Sequence, residues 1–198
     1  MINIVVAWMA EARPLIERYR LKPLSRKSGF RIYRNDGVSL VVAGQGKVAA
    51  AAATAWLQAL LKPQQHACWL NAGIAGQRDL PIGTAIEGGR VSDLASDCYW
   101  QLTGSGTGLP ALDIVTVDAP DPEYRQDGVT DMEASGFVET ALRFSEQRNI
   151  GCFKVISDNA RQTLEHFSPA LATELMAARI DELHRVAEAL QWRCSSVE

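Results

Sequence analysis

One stretch in the first half of the chain sets its fold class. Ser39 to Ala43 is a short apolar run, Gly44-Gln45-Gly46 turns it, and the alanine-rich segment Lys47 to Leu61 reads as a helix closed by Pro63. A second buried run, Ala67 to Leu70, comes next. Strand, glycine turn, helix and strand make a βαβ unit, and such a unit requires parallel strands with a helix laid on the sheet. The opening run Ile2 to Ala7 is rich in β-branched residues and suits a strand covered on both faces. A helix is expected from about Ala10 to Tyr19. Arg31–Tyr33 and Ser39–Ala43 read as a hairpin around Asn35-Asp36-Gly37.

Further along, Asn71-Ala72-Gly73-Ile74-Ala75-Gly76 reads as a glycine loop leaving the strand before it. Val91 and Ile114–Val117 mark short strands, and Gly104-Ser105-Gly106-Thr107-Gly108 reads as a flexible loop. Asp131 is placed as the N-cap of a helix that buries Phe137, Ala141 and Phe144, and Cys152–Ile156 is the next strand. Ser168-Pro169 opens one last helix with Met176, Ile180, Leu183, Ala187 and Leu190 on its inner face. No repeat or second domain is found, so residues 1–198 are read as a single α/β domain.

Charge and cysteine usage exclude several functions. A net charge of −3, without a basic stripe, does not suit nucleic-acid binding. Cys68, Cys98, Cys152 and Cys194 include no CxxC pair and only three histidines accompany them, so no metal site is expected. No apolar run is long enough to span a membrane, and no export signal is recognised. Free thiols without a leader point to a cytoplasmic protein.

Gly44-x-Gly46-x-x-Ala49 has the shape of a dinucleotide fingerprint. That fold also wants an acid about 20 residues on to hold the ribose, and no Asp or Glu lies between Asp36 and Asp79. A tight turn that lets a helix pack closely is the better reading, and no organic cofactor is expected. The acids of interest are Glu11, Glu133 and Asp158, each beside the end of an apolar element, where ligands of open α/β sheets bind. Singly each reads as a cap or a solvated loop acid. Trp56 and Trp69 read as core or subunit-interface residues, and Tyr99-Trp100 as a pocket or dimer contact.

Five motifs in order change that reading: Met9-Ala10-Glu11-Ala12, Gly44-Gln45-Gly46-Lys47-Val48-Ala49-Ala50, Asn71-Ala72-Gly73-Ile74-Ala75-Gly76, Asp131-Met132-Glu133-Ala134 and Ile156-Ser157-Asp158. Together the chain resembles the purine nucleoside and uridine phosphorylase superfamily. Within it the likeness is greatest to the methylthioadenosine/S-adenosylhomocysteine nucleosidases. The resemblance implies a three-layer α/β/α domain with a central mixed sheet, shortened between about 97 and 131, that assembles as a homodimer. It implies cleavage of the N-glycosidic bond of a purine nucleoside, a small-molecule substrate.

On this resemblance Asp158 is the acid that protonates purine N7, and must carry a proton to do so. Glu11 orients and deprotonates the attacking water, and Glu133 grips the ribose hydroxyls. Met132, Ala75, Gly76 and Ser157 complete the substrate contacts. Phosphorylases of the superfamily hold phosphate with an arginine and a hydroxyl in the glycine loop, where this chain has Asn71 and Ile74. This favours hydrolysis, with Lys154, in the place of the nucleosidases' arginine, and Asn71 left to position the nucleophile. Phosphorolysis, with phosphate recruited by Arg13 or Lys154, is the alternative, and a likeness to hopanoid-associated phosphorylases adds a lipid-linked nucleoside to it. A degenerate protein that binds a nucleoside without cleaving it is the third reading.

Overall fold

The computed structural model describes residues 1–24, 29–61, 67–163, 165 and 168–195. The opening apolar run forms β1 (Ile2–Val6), followed by α1 (Met9–Tyr19), β2 (Lys22–Pro23), β3 (Arg31–Arg34), β4 (Val38–Val42) and α2 (Lys47–Leu61). Pro63, expected to close α2, lies outside the described residues. The middle of the chain supplies β5 (Cys68–Gly76), β6 (Ala85–Asp93), β7 (Tyr99–Gln101), β8 (Ala111–Thr116) and β9 (Val129–Asp131). It ends with α3 (Ala134–Ala141), β10 (Ile150–Asp158), α4 (Pro169–Ala178) and α5 (Ile180–Ser195).

The crossover works as its sequence requires. β1 lies parallel between β4 and β5, with Ile4 beside Leu40 on one side and Leu70 on the other. Side chains alternate across it: Ile2, Ile4 and Val6 enter one core with Leu15 of α1, Met176 of α4 and Leu183 of α5. Val5 enters the other with Leu57 of α2 and Phe137 of α3. The mixed sheet thus carries helices on both faces, as expected, which is why the central strand β1 is buried along its whole length. Beyond that expectation, β10 pairs with both β5 and β6, and β6–β8–β9 returns to β5 through Gly76 and Thr130. Half of the sheet is therefore closed into a small barrel, while the other half ends on the two-residue edge strand β2. No helix of the described residues is long and apolar enough to cross a membrane.

Several expectations are corrected. Asn71–Gly76 is not a loop but the second half of β5, paired along its length with β10. The last helix is two, broken at Arg179, whose guanidinium donates to the Gly83 carbonyl and pairs with Glu182. Phe144 lies beyond α3, and that helix starts at Ala134, although the Asp131 carboxylate does accept the Ala134 N–H and so caps it from β9. The loop 104–108 is tied down, because the buried Glu87 carboxylate accepts from the Ser105 N–H and from the Ser105 and Thr107 hydroxyls. Trp69 is core, as one of its two readings has it, and Tyr99 stacks under Arg90 at the surface and does not line the cavity described below. Four free thiols were expected; Cys98 and Cys152 are free, but Cys68 is bonded to Cys194, which removes part of the ground for a cytoplasmic location.

Gly44 and Gly46 have φ of 92° and 99°, in the left-handed region that favours glycine, and they swing the chain from β4 into α2. The same tightness recurs where α3 meets the start of α2: a Cβ on Gly136 would run into the backbone carbonyl of Lys47. Gly136→Ala is expected to push the two helices apart and lower the unfolding free energy by ~1–3 kcal/mol, the usual cost of overpacking. Urea denaturation of the variant checks this; an unchanged midpoint would show that α2 and α3 are free to adjust.

Candidate active site

The ends of β5 and β10, the first turn of α1 and the segment before α3 enclose a cavity of about 280 Å³, at the lower edge of what a nucleoside-sized ligand needs. Its wall is completed by Val117, Pro120 and Asp121 from the turns that join β8 to β9. Each acid singled out in the sequence reaches this cavity from a different element.

Glu11 occupies the third position of α1 and folds back over the helix start. One carboxylate oxygen accepts the N–H groups of Ala7 and Trp8 at 2.9 and 2.8 Å, and the other accepts the Ile74 N–H at 3.1 Å. Burial pushes its pKa up, and the donors at Trp8 and Ile74, the Lys154 charge and the Ala7 donor oppose but do not cancel that effect. Gly73 lies directly beneath: a Cβ there would sit 2.7 Å from the Glu11 carboxylate. Asp158 stands over Gly76 in the same way, with a Cβ at that glycine falling 2.6 Å from its Oδ2. The bare glycines that suggest a loop in the sequence are thus strand positions over which two carboxylates lie.

Between Ile156 and Asp158 the register of β10 against β5 shifts, Ser157 being the extra residue, and such a bulge re-aims the side chain that follows. The Ser157 hydroxyl donates to Asp158 Oδ1 at 2.6 Å and the Tyr124 hydroxyl to Oδ2 at 2.9 Å. Glu133 precedes α3 and accepts the Gly46 N–H at 2.8 Å, so the glycine turn is fastened to the site as well as starting α2. Burial first, and then the Asp131 charge, push its pKa up against the pull of Lys154 and Gly46. Met132, Ala75, Gly76 and Ser157 line the cavity with these acids.

Lys154 and Asn71 are placed differently. Neither lines the cavity. The Asn71 amide donates to the Val5 carbonyl inside the sheet. Lys154, 1% exposed, forms a 2.7 Å ion pair with the wholly buried carboxylate of Asp131. Burial works against its charge, but the carboxylates of Asp131 and Glu133 outweigh that effect and raise its pKa. Arg13 is exposed on α1. Among the described residues the cavity is therefore faced by the carboxylates of Glu11, Asp121, Asp131, Glu133 and Asp158, with one cation beneath it already paired.

Sequence reasoning missed Trp8, Gln45, Asp121, Tyr124 and the second role of Asp131. Asp131 was visible as a cap, and nothing in its spacing announced Lys154 as a partner. Tyr124 sits among polar residues with no periodicity and gave no signal.

No family model matches the chain, and no curated protein matches it in sequence. Solved structures do match it in three dimensions. The apo structure of 5'-methylthioadenosine nucleosidase from Arabidopsis thaliana is 20% identical, with a TM-score of 0.83 over 99% of this chain and 98% of that one. The 5'-methylthioadenosine/S-adenosylhomocysteine nucleosidase of Neisseria meningitidis, in complex with methylthio-immucillin-A, is 18% identical with a TM-score of 0.72, over 93% and 98%. The futalosine hydrolase of Helicobacter pylori is 18% identical with a TM-score of 0.69, over 91% and 97%. The chain shares the fold of these three structures.

The buried pair gives a stability test. Lys154→Met leaves the Asp131 carboxylate without its counter-charge, and a loss of ~3–5 kcal/mol in unfolding free energy is expected. The double variant Lys154→Met, Asp131→Asn should recover part of it. A single-variant loss below ~1 kcal/mol in chemical denaturation, the size of an exposed pair, would contradict the pairing.

Proposed function

We propose that this chain is an N-ribosyl hydrolase that cleaves the glycosidic bond of a purine nucleoside. The observation that carries the proposal is the convergence of Glu11, Glu133 and Asp158 on one cavity, each held by donors that fix its orientation. The names of the proteins that share its fold, nucleosidases and a futalosine hydrolase, agree with hydrolysis of a nucleoside.

Departure of the base leaves an electron pair on it and positive charge on the sugar. In this reading Asp158 gives a proton to the base as the C–N bond breaks. Glu133 accepts hydrogen bonds from the ribose hydroxyls, and its charge favours the sugar cation. A water then bonds to the anomeric carbon and passes a proton to Glu11; the burial that raises the pKa of Glu11 makes it a better proton acceptor. Exchange with solvent returns a proton to Asp158 and removes one from Glu11, so the sum is water consumed, with free base and free sugar released.

Hydrolysis is preferred to phosphorolysis on electrostatic grounds. A phosphate dianion would enter a cavity faced by carboxylates, with Lys154 committed to Asp131 and Asn71 to Val5. The retained acids favour an enzyme over a protein that only binds its nucleoside. A homodimer belongs to the same reading and is supported by α2, whose outward stripe of Val48, Ala52, Ala55, Trp56 and Ala59 is apolar, with Val48 79% and Trp56 43% exposed.

Three measurements test this. Chromatography of a nucleoside panel that includes methylthioadenosine should show free base and free sugar in phosphate-free buffer. Asp158→Asn should lose at least ~100-fold in kcat, the scale of a general acid's contribution, with its fold intact. A sugar 1-phosphate formed only with phosphate would instead establish a phosphorylase, and release of no base by the wild type would favour a binding protein. Light scattering should give a dimer for the wild type and a monomer for Val48→Glu, Trp56→Glu; a wild-type monomer would remove the dimer.

A further inference from the structure

Both oxygens of the Asp158 carboxylate receive hydroxyl groups, but the two donors are not equivalent. Ser157 has a second acceptor within reach, the Ala75 carbonyl at 3.3 Å, so its hydroxyl has somewhere else to turn when Asp158 takes up a proton. The Tyr124 hydroxyl is aimed at Oδ2. Tyr124 is 4% exposed, and its backbone φ of 49° lies in the left-handed region that bulky residues rarely adopt. A turn holds it there: the Tyr124 N–H donates to the Asp121 carbonyl, and the Asp121 carboxylate accepts the Arg125 N–H at 2.7 Å. A non-glycine residue kept in such a conformation, with its side-chain oxygen on the proposed acid, marks a functional constraint.

The geometry points to Tyr124 as the positioning residue of Asp158: its hydroxyl fixes the carboxylate against Gly76 and competes with the proton that Asp158 must carry to the base. This rests on the hydrolase reading above. Tyr124 touches Asp158, and the titratable groups that line the cavity with it are Asp121 from the turns after β8, Asp131 on β9, Glu133 before α3 and Glu11 on α1, with Lys154 of β10 behind Asp131. Among these Tyr124 is the one seen donating a hydrogen bond to Asp158. The link is felt from the other side too, since burial and then the Asp158 hydrogen bond and charge raise the Tyr124 pKa. A donor to a carboxylate stabilises its ionised form. Removing the donor therefore favours the protonated acid, and activity that needs that proton persists to higher pH.

The test combines carbon-13 titration of the Asp158 carboxyl and the Tyr124 phenol carbon with pH profiles of base release. In the wild type the Tyr124 carbon is expected to shift with the same midpoint as Asp158, and this arm needs no variant to fold. In Tyr124→Phe the falling limb of kcat/KM should move to higher pH by about one unit, a tenfold change in activity on that limb equivalent to ~1.4 kcal/mol. A Tyr124 carbon that ignores the titration, or a Tyr124→Phe limb that stays in place, overturns the proposal. Absence of base release from the wild type overturns the hydrolase reading and with it the catalytic role of Asp158, whereas the titration alone decides whether Tyr124 and Asp158 are linked.

Discussion

The ammonium of Lys154 and the carboxylate of Asp131 meet at 2.7 Å where neither is exposed to water, and four elements are joined at that point. Lys154 comes from β10 and Asp131 from β9. The other Asp131 oxygen accepts the Thr116 hydroxyl from β8, and the Ala134 N–H of α3 shares Oδ2 with the ammonium. A buried pair of this kind returns its desolvation cost only when its remaining lone pairs are also satisfied, and here a hydroxyl and a helix N-terminus satisfy them. The wall of the cavity is thereby set in place by the same contact that keeps a positive charge beneath it.

That single cation explains how several carboxylates coexist around a small space. Glu11 and Glu133 feel it through the protein, and both are also fastened by backbone N–H groups that burial leaves without water. Asp158 instead takes hydroxyl donors, which have more freedom to turn than amides. Acids of one chemical type are thus given unequal surroundings, the usual way in which neighbouring carboxyls come to differ in proton affinity.

Much of this was legible in the chain. The two-faced apolar run of β1 and the glycine turn at residues 44–46 are where the sequence puts them, and the three acids it singles out line one cavity. Other features were hidden for identifiable reasons. Glycine and alanine have poor strand propensity, so Asn71–Gly76 resembles a loop until Glu11 and Asp158 are seen lying across Gly73 and Gly76. The break at Arg179 falls in a stripe of apolar residues whose spacing runs on through it, because a guanidinium reaching Gly83 is not encoded in helical periodicity. Lys154 resembles a residue free to hold a nucleophile, and only its partner on a separate strand shows otherwise. Tyr124 depends on a left-handed backbone position in an irregular segment, for which sequence pattern gives no guide.

The arrangement of sheet edges has a consequence for how molecules of this protein meet in concentrated solution. A strand with unpaired backbone groups is a template on which another chain can add itself, the first step of aggregation. Among the described residues each of β5, β10, β6, β8 and β9 has a neighbour on both sides, and β7, which pairs with β6 alone, is an edge of only three residues. On the open side the sheet stops at Lys22-Pro23, where a charged side chain and a residue without an N–H follow each other. The edges left open in the sheet are thus short, and at β2 the identity of two residues further discourages a foreign strand from pairing there.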